Sequence, residues 1–408
     1  MTSQNPTRLL AAEKTMISQL NALGAIKAAE KLARTGLPTR RVEAYHYTDL
    51  KALIKTVPQL AASAEPSGAP ALDLADAFHL LMINGHPAKN MNPPAGLDVS
   101  LEAGSPLSER DDVLVLLNRS LVEQRLKLGF NGEIDQVILV DRRSLGNSAH
   151  CAGALEIELA DGASACVVEV FSGTDEAHLG NQATRVTLGK GARLTHIVAN
   201  LSAAAASHFH TIEYDIAAAA NLRSLAVNSG SVLSRTQIFA LFDGEDAHGD
   251  FSGLNLVDDG QHCDITLDVT HALANTSSSE LYKSVARNRA KAVFQGRIVV
   301  AKKAQKTDAK MMAQGLMLSE GAQILCKPEL EIFADDVQCG HGATCGELDA
   351  GHMFYLMSRG IGRSEAAAIL IRAFIYELFD PIAEAEIKQA LGNIVENWLD
   401  QQTGNKPQ

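Results

Sequence analysis

The sequence predicts a mainly β fold, in which a central solenoid of stacked strand–turn units lies between helical segments at the two ends of the chain. Three observations support this prediction. From about 155 to 332, apolar and polar residues alternate with a period of two, which is typical of strands with one buried face. A turn pattern recurs within that region. Outside it, apolar residues recur at helical spacing.

Length and composition limit the classes of function. The chain has 408 residues, 46% of them hydrophobic and 21% charged, which is ordinary for a globular protein of two or three structural units. A formal net charge of −12 argues against a nucleic-acid-binding protein, which needs a basic surface. The start of the chain does not resemble a signal peptide, and no apolar run is long enough to span a membrane, so we expect a cytoplasmic protein.

Cysteine usage favours a reduced protein. The six cysteines are Cys151, Cys166, Cys263, Cys326, Cys339 and Cys345. A chain this long can bury a core without disulfide cross-links, so free thiols are the simpler interpretation. No Cys-x-x-Cys pair occurs in the sequence, which argues against a zinc ribbon or a thioredoxin-like site.

The first part of the chain is predicted to be helical. Apolar residues at helical spacing and the glycine at position 24 predict a helix over 9–24, followed by a second over 25–33. A third, over 48–56, would use Thr48 as its N-cap. The Ala, Ser, Pro and Gly content of 57–70 predicts a loop.

The next segment has mixed signals. The apolar run 113–117 predicts a strand, 120–126 a short helix and 136–140 another strand.

The strands that follow are joined by a repeated turn. Leu159-Ala-Asp-Gly-Ala, Leu188-Gly-Lys-Gly-Ala and Ile216-Ala-Ala-Ala-Ala are separated by nearly equal intervals, and Leu318-Ser-Glu-Gly-Ala has the same form. Regular strand–turn units favour a β-solenoid, whose rungs bury their faces against one another. A β-sandwich remains the alternative from the pattern alone.

Helices return near the C-terminus. One is predicted from Ser364, as N-cap, to the break at Asp380-Pro381, and a second over 383–399. The first has a broad apolar face, which would pack at least partly on the second helix. That face comprises Ala367, Leu370, Ile371, Phe374, Ile375 and Leu378.

The strongest chemical signal is Cys339-Gly-His341. On a strand, residues two apart share a face, so the thiol and the imidazole could reach one metal together. An isolated Cys-x-His is more often structural, but Cys345 and His352 follow closely and favour a metal, although the spacing matches no standard zinc site. For Cys345 a packed thiol, and for His352 a surface residue, are the simpler interpretations.

These residues lie in a segment that resembles a known family. Residues 335–346 (Asp-Asp-Val-Gln-Cys-Gly-His-Gly-Ala-Thr-Cys-Gly) resemble a characteristic run of the SufD members of the SufB/SufD family, scaffold subunits of the SUF iron–sulfur cluster assembly system. Also similar are 294–298 (Phe-Gln-Gly-Arg-Ile), 305–309 (Gln-Lys-Thr-Asp-Ala), 328–332 (Pro-Glu-Leu-Glu-Ile), 354–361 (Phe-Tyr-Leu-Met-Ser-Arg-Gly-Ile) and 43–50 (Glu-Ala-Tyr-His-Tyr-Thr-Asp-Leu). Tyr45 departs from the family, where tryptophan is usual.

The resemblance implies a fold and a role. The fold would be a right-handed parallel β-helix over 78–355, flanked by helical domains over 1–77 and 356–408. The chain would be a non-catalytic scaffold that pairs with a SufB-like subunit, with Cys339 and His341 at the interface where a transient iron–sulfur cluster forms. The C-terminal helices would dock a SufC-like ATPase. This chain has no P-loop, so ATP hydrolysis is expected in that partner.

Two other functions remain open. A β-helix enzyme acting on polysaccharide would use carboxylates on one solenoid face, for which Glu156, Glu158, Glu213 and Asp215 are candidates, although a solvated face is the simpler interpretation. A zinc-stabilised structural protein would use Cys339, His341 and Cys345. An isolated solenoid with an exposed edge could also pair with a second copy of itself.

The histidine pair on one predicted strand suggests no function. His208 and His210 share a strand face, and we expect that face to be solvated.

Overall fold

The chain folds as a β-solenoid of about eight turns between 126 and 346, with helices at both ends. The structure is a computed structural model that describes residues 9–65, 69–88 and 92–401. Its strands are β1 (Phe78–Ile83), β2 (His86–Pro87), β3 (Leu97–Ala103), β4 (Gln124–Phe130), β5 (Ile138–Ser144), β6 (His150–Leu159), β7 (Ser164–Gly173), β8 (Leu179–Leu188), β9 (Arg193–Asn200), β10 (Ser207–Ile216), β11 (Asn221–Asn228), β12 (Leu233–Phe242), β13 (His248–Val257), β14 (His262–His271), β15 (Ser277–Ala286), β16 (Lys291–Val300), β17 (Asp308–Met317), β18 (Gln323–Ile332) and β19 (Gln338–Gly346).

Successive strands alternate between two sheets. The odd-numbered strands from β5 to β19 form one sheet, extended by β1 and β2, and the even-numbered strands from β4 to β18 form the other, extended by β3. Neighbouring strands run parallel within each sheet, except for the antiparallel pairs β1–β2 and β3–β4. Each turn of the solenoid therefore contributes one strand to each sheet. This topology confirms the solenoid and excludes the sandwich, whose sheets would be antiparallel.

The repeated turn is one corner of the solenoid. The corners at 160–163 and 189–192 stack, since Gly162 N–H donates to the Lys190 carbonyl at 2.8 Å and Gly191 N–H donates to that of Ala218 at 2.9 Å. Both glycines have a positive φ, which their lack of a Cβ permits. The Leu318 turn has the same form but joins β17 to β18 and so lies at the opposite corner. The turn pattern seen in the sequence therefore occurs at both corners of the solenoid, and its copies do not all stack on one another.

The helices cover the outer faces of the sheets. They are α1 (Ala11–Ala22), α2 (Ile26–Thr35), α3 (Leu50–Leu53), α4 (Val113–Leu121), α5 (Ala350–Ser358), α6 (Arg363–Tyr376) and α7 (Ala385–Asp400). The helices α1, α2 and α4 pack on the nine-stranded sheet, and α6 and α7 pack on the ten-stranded sheet. Among the described helices, none is long and apolar enough to cross a membrane.

Four predictions of local structure differ from the structure. The apolar run at 113–117 is helical because Asp112 caps α4, accepting hydrogen bonds from the N–H groups of Leu114 and Val115. The segment predicted as a short helix over 120–126 ends α4 and begins β4. The third helix is shorter than predicted, and its N-cap is Asp49 rather than Thr48. The helix α6 begins two residues earlier than predicted, with Gly362 as its N-cap instead of Ser364.

The segment 43–48 crosses the outer face of the nine-stranded sheet. The hydroxyl of the buried Tyr45 donates to Asp112 at 2.6 Å, and the guanidinium of Arg235 lies 4.2 Å from the Tyr45 ring centre. Thr48 hydrogen-bonds Asp264 on β14, which also pairs with Arg235. The segment therefore covers the ion pair of Arg235 and Asp264, which Tyr45 and Thr48 contact directly.

Candidate functional site

The Cys339-Gly-His341 motif lies on β19, at the end of the ten-stranded sheet. Among the described strands β19 pairs only with β17, with Cys339 opposite Ala309 and His341 opposite Met311. Strand β18 ends the other sheet in the same way, paired with β16. Both sheets therefore finish at one open end of the solenoid, and the motif lies on that end.

The two motif side chains differ in exposure. Cys339 is half-buried and packs against the solenoid core, whereas His341 is exposed. Burial raises the pKa of the Cys339 thiol, and the carboxylates of Asp308 and Glu280 act in the same direction. The thiol is therefore protonated near neutral pH, and a metal must displace its proton to bind sulfur.

A buried carboxyl group lies behind the motif. Glu280 on β15 is opposite Met311, which is opposite His341, so the three residues form one row across the sheet. Glu280 is 1% exposed, and neither of its carboxyl oxygens makes a hydrogen bond of good geometry among the described residues. Burial raises the pKa of Glu280 to about 8. The row thus changes from a buried acid to an exposed imidazole across three neighbouring strands.

The other two candidates of the motif region are on the surface. Cys345 is exposed near the end of β19, and His352 is exposed on α5, with its Nδ1 3.5 Å from Asp349. Among the described residues, no group of three or more His, Cys, Asp or Glu side chains is arranged to hold a metal ion. The zinc-stabilised alternative needs Cys339, His341 and Cys345 close together, and the described residues do not show that arrangement.

Large apolar side chains are exposed around the open end. Phe333 follows β18 and is 62% exposed, and Phe354 on α5 is 74% exposed. Further members are Met312, Ile332, Tyr355 and Met357, all more than a third exposed. We call these six residues the end patch. Exposed aromatic and aliphatic side chains are typical of protein–protein interfaces.

The apolar face of the first C-terminal helix is divided between core and surface. Ile371, Ile375 and Leu378 are buried among α7 and the outer face of the ten-stranded sheet. Ala367, Leu370 and Phe374 are only half-buried. Leu370 and Phe374 line a mostly apolar groove between α5 and α6. Only this second half of the predicted face is accessible to a partner in this structure.

The expectation of a solvated histidine pair was wrong. His208 and His210 on β10 are 3% and 1% exposed and point into the solenoid, where His210 hydrogen-bonds Thr184 at 2.9 Å. Burial lowers the pKa of His208 to about 3 and that of His210 well below its ordinary value, so both are neutral at pH 7. They share strand parity with the inward Ile212, and that signal was present in the sequence.

Sequence reasoning also missed an interior ion pair. Glu169 is fully buried, with its carboxylate 2.5 Å from Arg142 and 3.0 Å from His196, and it accepts a hydrogen bond from Thr184 at 2.7 Å. Burial alone would raise the pKa of Glu169, but Arg142 and His196 outweigh that effect and hold it well below its ordinary value. No motif marks this pair, and strand parity is again its only sequence signal.

A comparison with known protein families identifies the family of this chain. A family model described as the SUF system FeS cluster assembly, SufBD core domain, matches residues 143–374. The chain belongs to the SufBD family. The matched region runs from the end of β5 into α6 and includes the whole open end.

Individual relatives agree with this assignment. The chain is 30% identical to the iron–sulfur cluster assembly protein SufD of Escherichia coli over 377 residues, which cover 88% of this chain and 89% of that protein. A SufBD family iron–sulfur cluster assembly protein of Synechocystis is 33% identical over 54% of this chain and 49% of its own length. One from Mycobacterium leprae is 32% identical over 44% and 47%. The sequence resemblance to the SufD branch is therefore confirmed.

The carboxylates named for a polysaccharide-active enzyme are engaged in ion pairs. Glu156 pairs with Arg125 at 2.7 Å, and Glu158 pairs with Lys127 at 2.9 Å. Glu213 is almost fully buried and pairs with Arg110 at 2.9 Å, and Asp215 pairs with Arg185 at 2.7 Å. A glycosidase needs an acid and a base free to reach substrate. These four residues instead connect neighbouring strands and loops in this SufBD family protein.

Proposed function

We propose that this SufBD family protein is a non-catalytic scaffold subunit for iron–sulfur cluster assembly. It pairs with a SufB-like subunit through the open end of the solenoid and contributes Cys339 and His341 to the site where the cluster forms. A SufC-like ATPase docks on its C-terminal helices and hydrolyses ATP. Residues 1–77, 78–355 and 356–408 serve as the N-terminal, β-helix and C-terminal domains of this scaffold.

One observation carries the proposal. The exposed imidazole of His341 lies beside a half-buried thiol, on a strand whose outer edge has no partner among the described strands. The residues of the end patch are exposed on the neighbouring elements. An unpaired edge and exposed apolar side chains both favour a protein partner at this end. A partner that covers the end patch would enclose His341 and Cys339 between two subunits.

The small number of ligands fits a transient cargo. Two side chains of this chain, one of them a protonated thiol, cannot complete the coordination of an iron–sulfur cluster, which usually takes four protein ligands. The partner must supply the remainder. A cluster held at such a seam is released when the subunits move apart, as assembly and transfer require.

The first test measures the cargo. This chain is co-expressed with its SufB-like and SufC-like partners, and iron and acid-labile sulfide are measured on the anaerobically purified complex. His341→Ala should lower both by about tenfold or more, since metal sites lose 10- to 100-fold in affinity when even a supporting group is removed.

His86→Ala is the control, because His86 is also an exposed histidine but lies on β2, at the opposite end of the ten-stranded sheet. It should retain wild-type iron and sulfide. Equal iron and sulfide in the wild type and His341→Ala, in intact complexes, would contradict the role of His341.

The docking of the ATPase has a separate test. Leu370→Arg places a charge in the groove between α5 and α6 and should weaken binding of the SufC-like subunit by about tenfold or more, as is typical of a buried interface contact. Val42→Arg changes an exposed apolar residue far from the groove in sequence and should not alter binding. Unchanged affinity in Leu370→Arg, measured by titration calorimetry, would place the ATPase elsewhere.

In the absence of partners, the same open end should pair with a second copy. Light scattering of the isolated chain should give the mass of a homodimer, and Phe333→Asp within the end patch should give the mass of a monomer. A dimer that survives Phe333→Asp would show that another surface forms it.

A further inference from the structure

Two cysteines at the open end lie side by side on different sheets. Cys326 is on β18 and Cys345 is on β19, the last strands of the two sheets. The charge of Cys345 and a hydrogen bond with it both act on the Cys326 thiol and raise its pKa. Cys345 is exposed and Cys326 is half-buried against the solenoid core. One thiol of the pair is therefore open to solvent and the other is held behind it.

The neighbouring residues direct the Cys345 sulfur inward. Cys345 is opposite Gly315 on β17, and a Cβ added to Gly315 would lie 2.9 Å from the Cys345 Sγ. The same Cβ would lie 2.8 Å from Ile324 Cγ2, a side chain of β18. The glycine thus leaves room between the two sheets, and the Cys345 sulfur lies over it, close to the strand that carries Cys326.

The other cysteines lack this arrangement. Cys151, Cys166 and Cys263 are buried on separate strands, and burial raises the pKa of each thiol. Cys339 is half-buried on β19 opposite Ala309, six residues before Cys345. Cys326 and Cys345 are the two described cysteines whose thiols interact.

We propose that Cys326 and Cys345 form an oxidisable dithiol, which hydrogen peroxide converts into an intramolecular disulfide between the last strands of the two sheets. The Cys345 thiolate attacks one peroxide oxygen, the O–O bond breaks, and water leaves after protonation, giving a sulfenic acid. The Cys326 sulfur then attacks the Cys345 sulfur, the S–O bond breaks and a second water leaves. Two thiols lose two electrons and two protons in total, and one peroxide becomes two waters.

The order of the two steps follows from the environments. Burial raises the pKa of the Cys326 thiol to about 12, and the neighbouring Cys345 adds to this shift. A protonated, half-buried thiol reacts slowly with peroxide, whereas an exposed thiol is accessible to it. Cys345 is therefore the attacking residue and Cys326 the resolving one. A disulfide between them would cross-link β18 to β19 and fix the open end, independently of any cluster.

The test uses the purified full-length chain. It is treated with hydrogen peroxide, free thiols are blocked with N-ethylmaleimide, and the digested peptides are analysed by mass spectrometry. We expect a cross-linked peptide pair containing Cys326 and Cys345 that is lighter by two hydrogens, and that disappears on reduction. Both Cys326→Ser and Cys345→Ser should abolish it, whereas Cys339→Ser, which removes the nearest competing thiol, should leave its yield unchanged.

Three results would overturn the proposal. They are a disulfide that includes Cys339, a disulfide between two copies through Cys345, and irreversible oxidation of Cys345 while Cys326 stays alkylated. Circular dichroism of each serine variant shows whether it is folded, and the wild-type peptide map decides the pairing without any variant.

Discussion

The middle of the solenoid and its C-terminal end have the same strand geometry but differ in what covers the strands. In the middle, sheets, corners and helices enclose the inward side chains, so His196, His208 and His210 are almost fully buried. At the end, β18 and β19 lack a further turn among the described residues, and His341 on an equivalent inward row is exposed. The same residue type is therefore structural in one region and available to a ligand in the other.

The largest expected effect tests the closed region. Glu169→Ala removes the partner of Arg142 and leaves a buried guanidinium without its counter-charge. We expect a loss of about 3–5 kcal/mol in the free energy of unfolding, the usual cost of breaking a buried ion pair. Urea unfolding followed by circular dichroism measures it.

Asp259→Asn is the control for this measurement, since it breaks the exposed Asp259–Arg289 pair and should leave the unfolding midpoint unchanged. A small loss of unfolding free energy in Glu169→Ala would mean that water reaches Arg142 inside the solenoid. The middle of the solenoid would then be less enclosed, relative to its open end, than the structure indicates.

The next effect depends on pH and lies at the border between the two regions. Burial raises the pKa of Glu280 from an ordinary 4.5 to about 8; a hydrogen bond from Ser278 opposes this shift and the charge of Asp250 adds to it. The folded state therefore holds the proton more tightly than the unfolded chain does. The stability due to this proton is complete below pH 4.5 and is lost as the pH rises through 8. Between pH 6 and 8.5 we expect a loss of roughly 2–3 kcal/mol.

Glu280→Gln sharpens that measurement, because it removes the titrating group and should remove this part of the pH dependence. Thermal unfolding of both proteins across this pH range gives the comparison. Parallel pH profiles of the two proteins would show that Glu280 is already ionised in the folded state. Water would then reach this carboxylate more readily than its 1% exposure implies.

The smallest effect is expected for His341→Ala and is measured against that of a buried histidine. His210→Ala removes a buried ring and its bond to Thr184 and should cost about 2–4 kcal/mol, whereas His341→Ala removes an exposed ring and should change stability by less than about 0.5 kcal/mol. The difference between the two variants in urea is the quantity of interest. A large loss in His341→Ala would make that histidine part of the architecture.

Most of the fold could be predicted from the sequence, because each turn of the solenoid repeats the same alternation of apolar and polar residues followed by a turn. Alternation predicted the strands, and the corner at Gly162 and Gly191 predicted their stacking. The rule failed where both faces of a strand are covered. On β10 the apolar Phe209 faces the N-terminal helices while the histidines face the interior, so polarity no longer separated inside from outside. The apolar run 113–117 was likewise predicted to be a strand, although it belongs to the helix that Asp112 caps.

The candidate site was predictable only in part. Strand spacing correctly placed Cys339 and His341 on β19, but the sequence could not show that β19 is the last strand of its sheet. Nor could it show Glu280 behind them or Cys326 beside Cys345, because those contacts join residues far apart in the chain. The division of the C-terminal face into buried Ile371 and accessible Leu370 also depends on tertiary packing.

Among the described residues, the outer edges of β18 and β19 have no partner strand, so the amount of this protein that is produced matters for its solubility. Each edge presents main-chain N–H and C=O groups that any extended segment can extend into a longer sheet, and the apolar residues beside them favour that addition. Chains whose edges stay uncovered are therefore prone to aggregation. If the proposed partner covers this end, recombinant yield should rise when both subunits are made together.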